Sequence, residues 1–184
     1  MEMHERADDE SLVQSAATGD EVAFSVLFDR YYSMIFAYAQ RICLDASLAE
    51  DVAQEAFVKA ARELALRPFR GSFKAWLYRV TRNGAIDLLR RRRREATHLP
   101  FDPERDSNHP QQLVPPETEY ENLGAALARL HPEWRAAIAL VYFDGLNHAE
   151  AARLLGCAEA TVSWRVFQSK RKLRQYLQQM EVAQ

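Results

Sequence analysis

Phe24, Leu27, Phe28, Tyr31, Ile35, Tyr38 and Ile42 recur at steps of three and four residues, the spacing of one apolar stripe along a long α-helix. The stripe predicts a helix beginning near Asp20. Ser47 with Glu50 three residues on has the pattern of a capping box and opens a second helix, to about Leu66. Pro68 and Gly71 break the chain, after which Phe73, Trp76, Leu77 and Val80 restart the helical period on a shared face that reads as core. That period runs past Gly84 to Leu89 and into five consecutive arginines, Arg90 to Arg94. A glycine inside a helix costs roughly 1 kcal/mol against alanine, so Gly84 predicts a close backbone approach or a bend.

The same period returns near the C-terminus. Leu123, Ala126, Leu127 and Leu130 give one helix, and Trp134, Ala137, Ile138, Val141 and Tyr142 give the next, with Pro132 suited to its first turn. Asn147 with Glu150 caps a short helix carrying Ala151, Leu154 and Leu155, and Gly156 suits the left-handed residue that ends it. A last helix from about Glu159 aligns Val162, Val166, Leu173 and Leu177. No stretch of useful length alternates with period two, so the fold class is all-α.

Glycine and proline are scarce, at 6 and 7 of 184 residues, yet Pro110, Pro115 and Pro116 fall close together. They lie in an acidic stretch, from about Glu95 to Glu119, that has neither helical nor alternating period. The reading is therefore two small helical domains, over residues 1–95 and 120–184, joined by a flexible acidic linker over 96–119.

Charge divides the chain more sharply than its total of −2 suggests. Residues 1–66 carry a net −8, residues 67–94 carry +9, residues 95–121 carry −6 and residues 122–184 carry +3. A basic block of this density inside an acidic protein is the footprint of a polyanion-binding surface that the total charge conceals. Within it aromatics alternate with cations: Phe69, Arg70, Phe73, Lys74, Trp76, Tyr78, Arg79 and Arg82. Stacking faces beside a cationic groove are what single-stranded nucleic acid requires. With Phe73 and Trp76 assigned to the core, Phe69, Tyr78 and the cations are the surface candidates.

Two other features invite partners. The capped helix, the turn Gly156-Cys157-Ala158 and the helix after it have the grammar of a helix-turn-helix, in which the first helix braces the second for entry into the major groove. The second helix offers Ser163, Trp164, Arg165, Phe167, Gln168, Lys170 and Arg171, chemistry suited to base edges and phosphates. In the acidic half, Asp51, Gln54, Glu55 and Val58 share one face of the second helix and could dock on a basic partner, although a merely solvated face would look the same.

Catalytic patterns do not stand out. His4, His98, His109, His131 and His148 match no metal-ligand spacing, and no phosphate loop or nucleophile elbow occurs, so no enzyme, metal or cofactor is expected. Cys43 and Cys157 lie far apart and read as inert thiols. Asp8, Asp9 and Glu10 read as a solvated acidic tail. No apolar run is long enough for a bilayer span and the start MEMHERADDE has no leader character, so the expectation is a cytoplasmic protein.

With these features in this order, the sequence resembles the extracytoplasmic-function (ECF, group IV) sigma factors of bacterial RNA polymerase along nearly its whole length. Three stretches carry the likeness: SLAEDVAQEAFVKA, FRGSFKAWLYRVTRNGAIDLLRRRRR and LHPEWRAAIALVYFDGLNHAEAARLLGCAEATVSWRVFQSKRKLR. The resemblance implies a sigma domain two, a linker threading the polymerase and a helix-turn-helix sigma domain four. It implies that the protein binds core polymerase, directs it to promoters with −35 and −10 elements and assists melting.

Residue roles follow from the resemblance alone. Asp51, Gln54, Glu55 and Val58 would contact core polymerase, chiefly the clamp helices of β′ with β also a partner. Asn83 and the loop holding Phe69, Arg70 and Ser72 would capture a flipped −10 base, while Arg79, Arg82, Arg90 and Arg91 would hold the strand and adjacent duplex. Thr161, Ser163, Trp164, Phe167 and Gln168 would face the −35 element, with Arg165, Lys170 and Arg171 mainly on phosphates. An anti-sigma factor is an expected partner, and the bound protein would be found on the nucleoid. The rival reading is a sigma mimic that sequesters an anti-sigma factor; it has no need of the basic recognition helix or the arginine run.

Overall fold

The computed structural model describes residues 7–66, 68–97 and 119–182. The linker expected over 96–119 lies, except at its two ends, outside the described residues. Among the described residues every regular element is helical: α1 (Asp9–Ala17), α2 (Glu21–Cys43), α3 (Ala46–Leu66), α4 (Phe73–Thr97), α5 (Glu119–Ala128), α6 (Pro132–Ile138) with a π-helical turn (Ala139–Phe143), α7 (His148–Leu155) and α8 (Glu159–Val182).

The acidic N-terminal cluster is not a solvated tail. Asp8 accepts the Ser11 N–H at 2.8 Å and caps α1, a position that favours the carboxylate and holds its pKa below the usual range. Asp9 then receives Arg30 at 2.7 Å and the Tyr31 hydroxyl, which fastens α1 to α2. Short helices are marginal alone, and burial of Leu12 and Val13 supplies the remaining support.

The stripe's helix begins where expected, and Asp20 caps it by accepting the N–H groups of Val22 and Ala23. The helix stops at Leu44, whose φ of 57° is left-handed, and that sharp stop places Asp45 to accept the Leu48 N–H at 3.0 Å. The cap of α3 is therefore Asp45, not the expected Ser47, because the helix already begins at Ala46. Ser72 caps α4 by accepting the Ala75 N–H at 3.2 Å.

In α4 the buried set is Phe73, Leu77, Tyr78, Thr81, Ala85 and Ile86, while Trp76 and Val80 are half-buried. Tyr78 is thus a core residue and not the surface aromatic expected of it. Gly84 also departs from expectation: a Cβ there would meet Val52 at an ordinary 3.8 Å, and the helix runs through it unbroken.

In the C-terminal half, His131 caps α6 by accepting the Glu133 N–H on Nδ1 at 3.2 Å, with Pro132 in the first turn. Arg135 is buried and donates to the carbonyls of Leu127, Ala128 and Leu130, satisfying the end of α5. Burial lowers its pKa to about 10. Asn147 and Glu150 form the predicted capping box on α7, and Gly156 ends that helix at φ 66°. A second, smaller core gathers Ala126, Leu130, Ile138 and Tyr176. The main core is continuous across both halves: Tyr38 and Tyr78 belong to the same buried cluster as Leu140, Ala151 and Leu155.

Candidate functional site

The acidic face of α3 forms as its spacing predicts. Val52, Ala53, Ala56, Phe57 and Ala60 turn into the core, which leaves Asp51, Gln54, Glu55 and Val58 together on the exposed side. Neighbours on the same helix hold two of them: Lys59 lies 3.6 Å from Glu55, and Gln54 donates to Glu50 at 3.3 Å. Pairs of this exposure contribute little to stability, so the stripe is available to a partner at small cost.

The basic face is built on α4 and the turn before it. Phe69 packs edge-on against Phe73 and Trp76, with ring centroids 5.8 Å apart in both cases, so the turn is anchored to the helix by aromatic contact. Gly71, at φ 90°, makes the turn, and Arg70 and Ser72 are exposed beside it. Asn83 is exposed, and its Oδ1 accepts from Arg82 at 2.9 Å. Arg79 and Arg82 are half-buried. Arg90 and Arg91 carry i,i+3 and i,i+4 ion pairs at 3.7 and 3.9 Å to Asp87 and Glu95.

The helix-turn-helix is formed by α7 and α8. The left-handed Gly156 lets the N–H groups of both Gly156 and Cys157 return to the Ala152 carbonyl, fixing the angle at which α8 leaves the turn. Val162 and Val166 seat α8 in the core. The opposite face shows Trp164 (53% exposed) and Phe167 (62% exposed), with Lys170 and Arg171 also exposed. These two bulky aromatics lie open on a cationic helix face, Trp164 with one edge against Trp134.

Of the remaining candidates on α8, Ser163 and Arg165 are engaged by neighbouring helices. Ser163 shares a 2.8 Å hydrogen bond with His148 Nδ1. Arg165 pairs with Glu133 at 2.8 Å, Gln168 is half-buried and Thr161 is half-buried near the turn. His148, Glu133 and the Trp134 ring, edge-on to Trp164 at 5.8 Å, are supports that sequence reasoning missed; no local pattern ties them to α8.

The family description "Sigma-70 region 2" matches residues 27–95, and "Sigma-70, region 4" matches residues 120–173. The RNA polymerase sigma-H factor of Pseudomonas aeruginosa is 31% identical, over 92% of this chain and 94% of its own length. The chain belongs to the ECF sigma factors. It is a sigma factor, a promoter-directing subunit of bacterial transcription initiation. The ECF RNA polymerase sigma factor SigE of Mycolicibacterium smegmatis is 35% identical over 88% of this chain, which spans only 65% of that longer relative. Among solved structures, the sigma factor RpoE in complex with the anti-sigma factor NepR from Bartonella quintana superposes with a TM-score of 0.61 at 25% identity, over 84% of this chain and 96% of that one. Among the described residues, no helix is long and apolar enough to cross a membrane.

Proposed function

We propose that this sigma factor works through three separate faces and has no catalytic chemistry of its own. The α3 stripe of Asp51, Gln54, Glu55 and Val58 docks on the β′ clamp helices of core polymerase. Phe69, Arg70, Ser72 and Asn83 take the −10 base, with Arg79, Arg82, Arg90 and Arg91 on its strand and the adjoining duplex. The α8 face takes the −35 element. The functional units are residues 1–95 and 120–184, with 96–119 between them, and the protein acts in the cytoplasm on nucleoid DNA.

The observation that carries this reading is the open aromatic and cationic face of α8, braced by α7 through Gly156. A face of this composition is the means by which a helix reads a major groove, apolar rings meeting thymine methyls and cations meeting phosphate. An anti-sigma factor is a further partner, supported by the relative solved with one. The test is in vitro transcription from a promoter library with sigma-free core polymerase. Start sites that depend on this protein and share two spaced upstream elements support the reading. Tight binding to core without any initiation would instead favour a mimic.

A further inference from the structure

Two buried helical hydroxyls turn back on their own helix: Thr81 donates to the Leu77 carbonyl at 2.8 Å and Ser169 to the Arg165 carbonyl at 2.7 Å. Ser163, also on α8, meets an imidazole instead, across the 2.8 Å hydrogen bond to His148 Nδ1. The backbone fixes both ends of that bond. His148 is the first residue of α7, held there by the capping box in which Asn147 accepts the Glu150 N–H and Glu150 accepts the Asn147 N–H, each at 2.9 Å. Val162, fully buried beside Ser163, seats α8, and the left-handed turn at Gly156 brings the two side chains together across 15 positions of sequence.

Both side chains are half-buried, so the pair lies at the border between the packing of α7 on α8 and the open face of α8. One helical turn along that face from Ser163 stands Phe167, 62% exposed. A serine hydroxyl has one proton to give and two lone pairs, so a serine free on a recognition helix can give to one base and accept from another, and discriminates poorly. A fixed partner removes that ambiguity. When Nδ1 accepts the O–H, the proton is used inside the protein and only an acceptor is left toward the groove. That acceptor matches the amino group on adenine N6 or cytosine N4, and it meets guanine O6 or thymine O4 as acceptor against acceptor.

We infer that His148 is a positioning residue that sets −35 specificity: its Nδ1 accepts the Ser163 O–H, so that Ser163 reads DNA as an acceptor and selects a base with an exocyclic amino group. The inference rests on the proposed −35 role of the α8 face. His148 itself touches no base. It converts a hydroxyl that tolerates any base into one that tells amino from carbonyl.

The experiment forms holoenzyme from sigma-free core polymerase and the full chain, and sequences the fragments it binds from a promoter library randomised across the −35 element. Wild type is compared with Ser163→Ala, Phe167→Ala, His148→Ala and His148→Asn, whose Oδ1 keeps an acceptor near the place of Nδ1. Ser163→Ala should flatten the preference at one position by about fivefold, the effect of one neutral hydrogen bond. His148→Ala should flatten that position and no other, and His148→Asn should restore it. At that position the wild-type holoenzyme should also lose about fivefold in competition when the amino group is deleted, adenine replaced by purine or cytosine by pyrimidin-2-one, whereas the Ser163→Ala holoenzyme should not distinguish the two. If His148→Ala does not fold, His148→Phe fills the same space without an acceptor and carries the test. A His148 variant that weakens every −35 position together, along with the melting temperature, overturns the inference, as does a wild-type preference that survives deletion of the amino group. If Phe167→Ala relaxes a −35 position while the His148 and Ser163 variants relax none, α8 reads the element and this inference alone falls. If none of the variants relaxes any position, the −35 reading of α8 falls with it.

Discussion

Arg165 and Glu133 lie 2.8 Å apart across the contact between α8 and α6, with side chains only 17% and 21% exposed. An arginine on the recognition helix would ordinarily be assigned to phosphate, but this one is committed to its own domain. Breaking a well-covered pair leaves its partner uncompensated, at a cost of about 2 kcal/mol once residual solvent is allowed for. Arg165→Ala should therefore lower the melting temperature clearly more than Lys170→Ala or Arg171→Ala. Equal melting temperatures for the three variants would return Arg165 to the DNA face.

The exposed part of α8 divides into two kinds of contact, and salt separates them. Lys170→Ala and Arg171→Ala should each flatten the slope of log affinity against log salt by about one, at every sequence tested. Phe167→Ala and Trp164→Ala should leave the slope alone and relax base preference at one or two −35 positions, by about 1–3 kcal/mol each. Binding titrations of −35 duplexes at several salt concentrations measure both quantities.

His131 makes the C-terminal half sensitive to acid. Its Nδ1 must be unprotonated to accept the Glu133 N–H that caps α6. Burial lowers its pKa below the ordinary 6.5, and Arg90, Arg135 and Arg165 reinforce the shift against an opposing Glu133. Below pH 6.5 the unfolded chain then binds more protons than the folded one, so stability falls as pH falls through that value toward the folded pKa. His131→Asn keeps a capping side chain without the titration and should remove this limb of the profile. Urea melts at pH 7.5, 6.5 and 5.5 would show it, and an identical pH response in the variant would refute the role.

Much of this architecture could be read in advance wherever its cause was local. The start of α2 near Asp20, the caps at Asn147 and Gly156 and the exposed stripe from Asp51 to Val58 follow from residues within one or two turns of each other. Two of the failures share a cause, contacts distant in sequence. Asp9 reads as solvated until Arg30 and Tyr31 are brought to it, and Tyr78 reads as a surface aromatic until Asp144 covers its hydroxyl. Arg41 and Asp144 are 103 positions apart, and nothing in either neighbourhood signals the other. Ser47 misled for a smaller reason: Asp45 sits two residues earlier and is the stronger acceptor once Leu44 has turned left-handed.

The two thiols should differ sharply in reactivity. Cys43 is buried at the end of α2, and burial pushes its pKa up to about 11, whereas Cys157 is half-buried in the helix-turn-helix turn. The thiolate is the attacking species, so Cys43 is doubly protected at pH 8, by cover and by protonation. Iodoacetamide at that pH should label Cys157 alone in the folded protein and both residues in urea, as read by peptide mass spectrometry. Because Cys43 lies within the core common to α2, α3 and α4, the onset of its labelling along a urea series should coincide with loss of helical circular dichroism. Labelling of Cys43 well before that transition would mean that the end of α2 opens locally, and that burial there is weaker than its packing indicates.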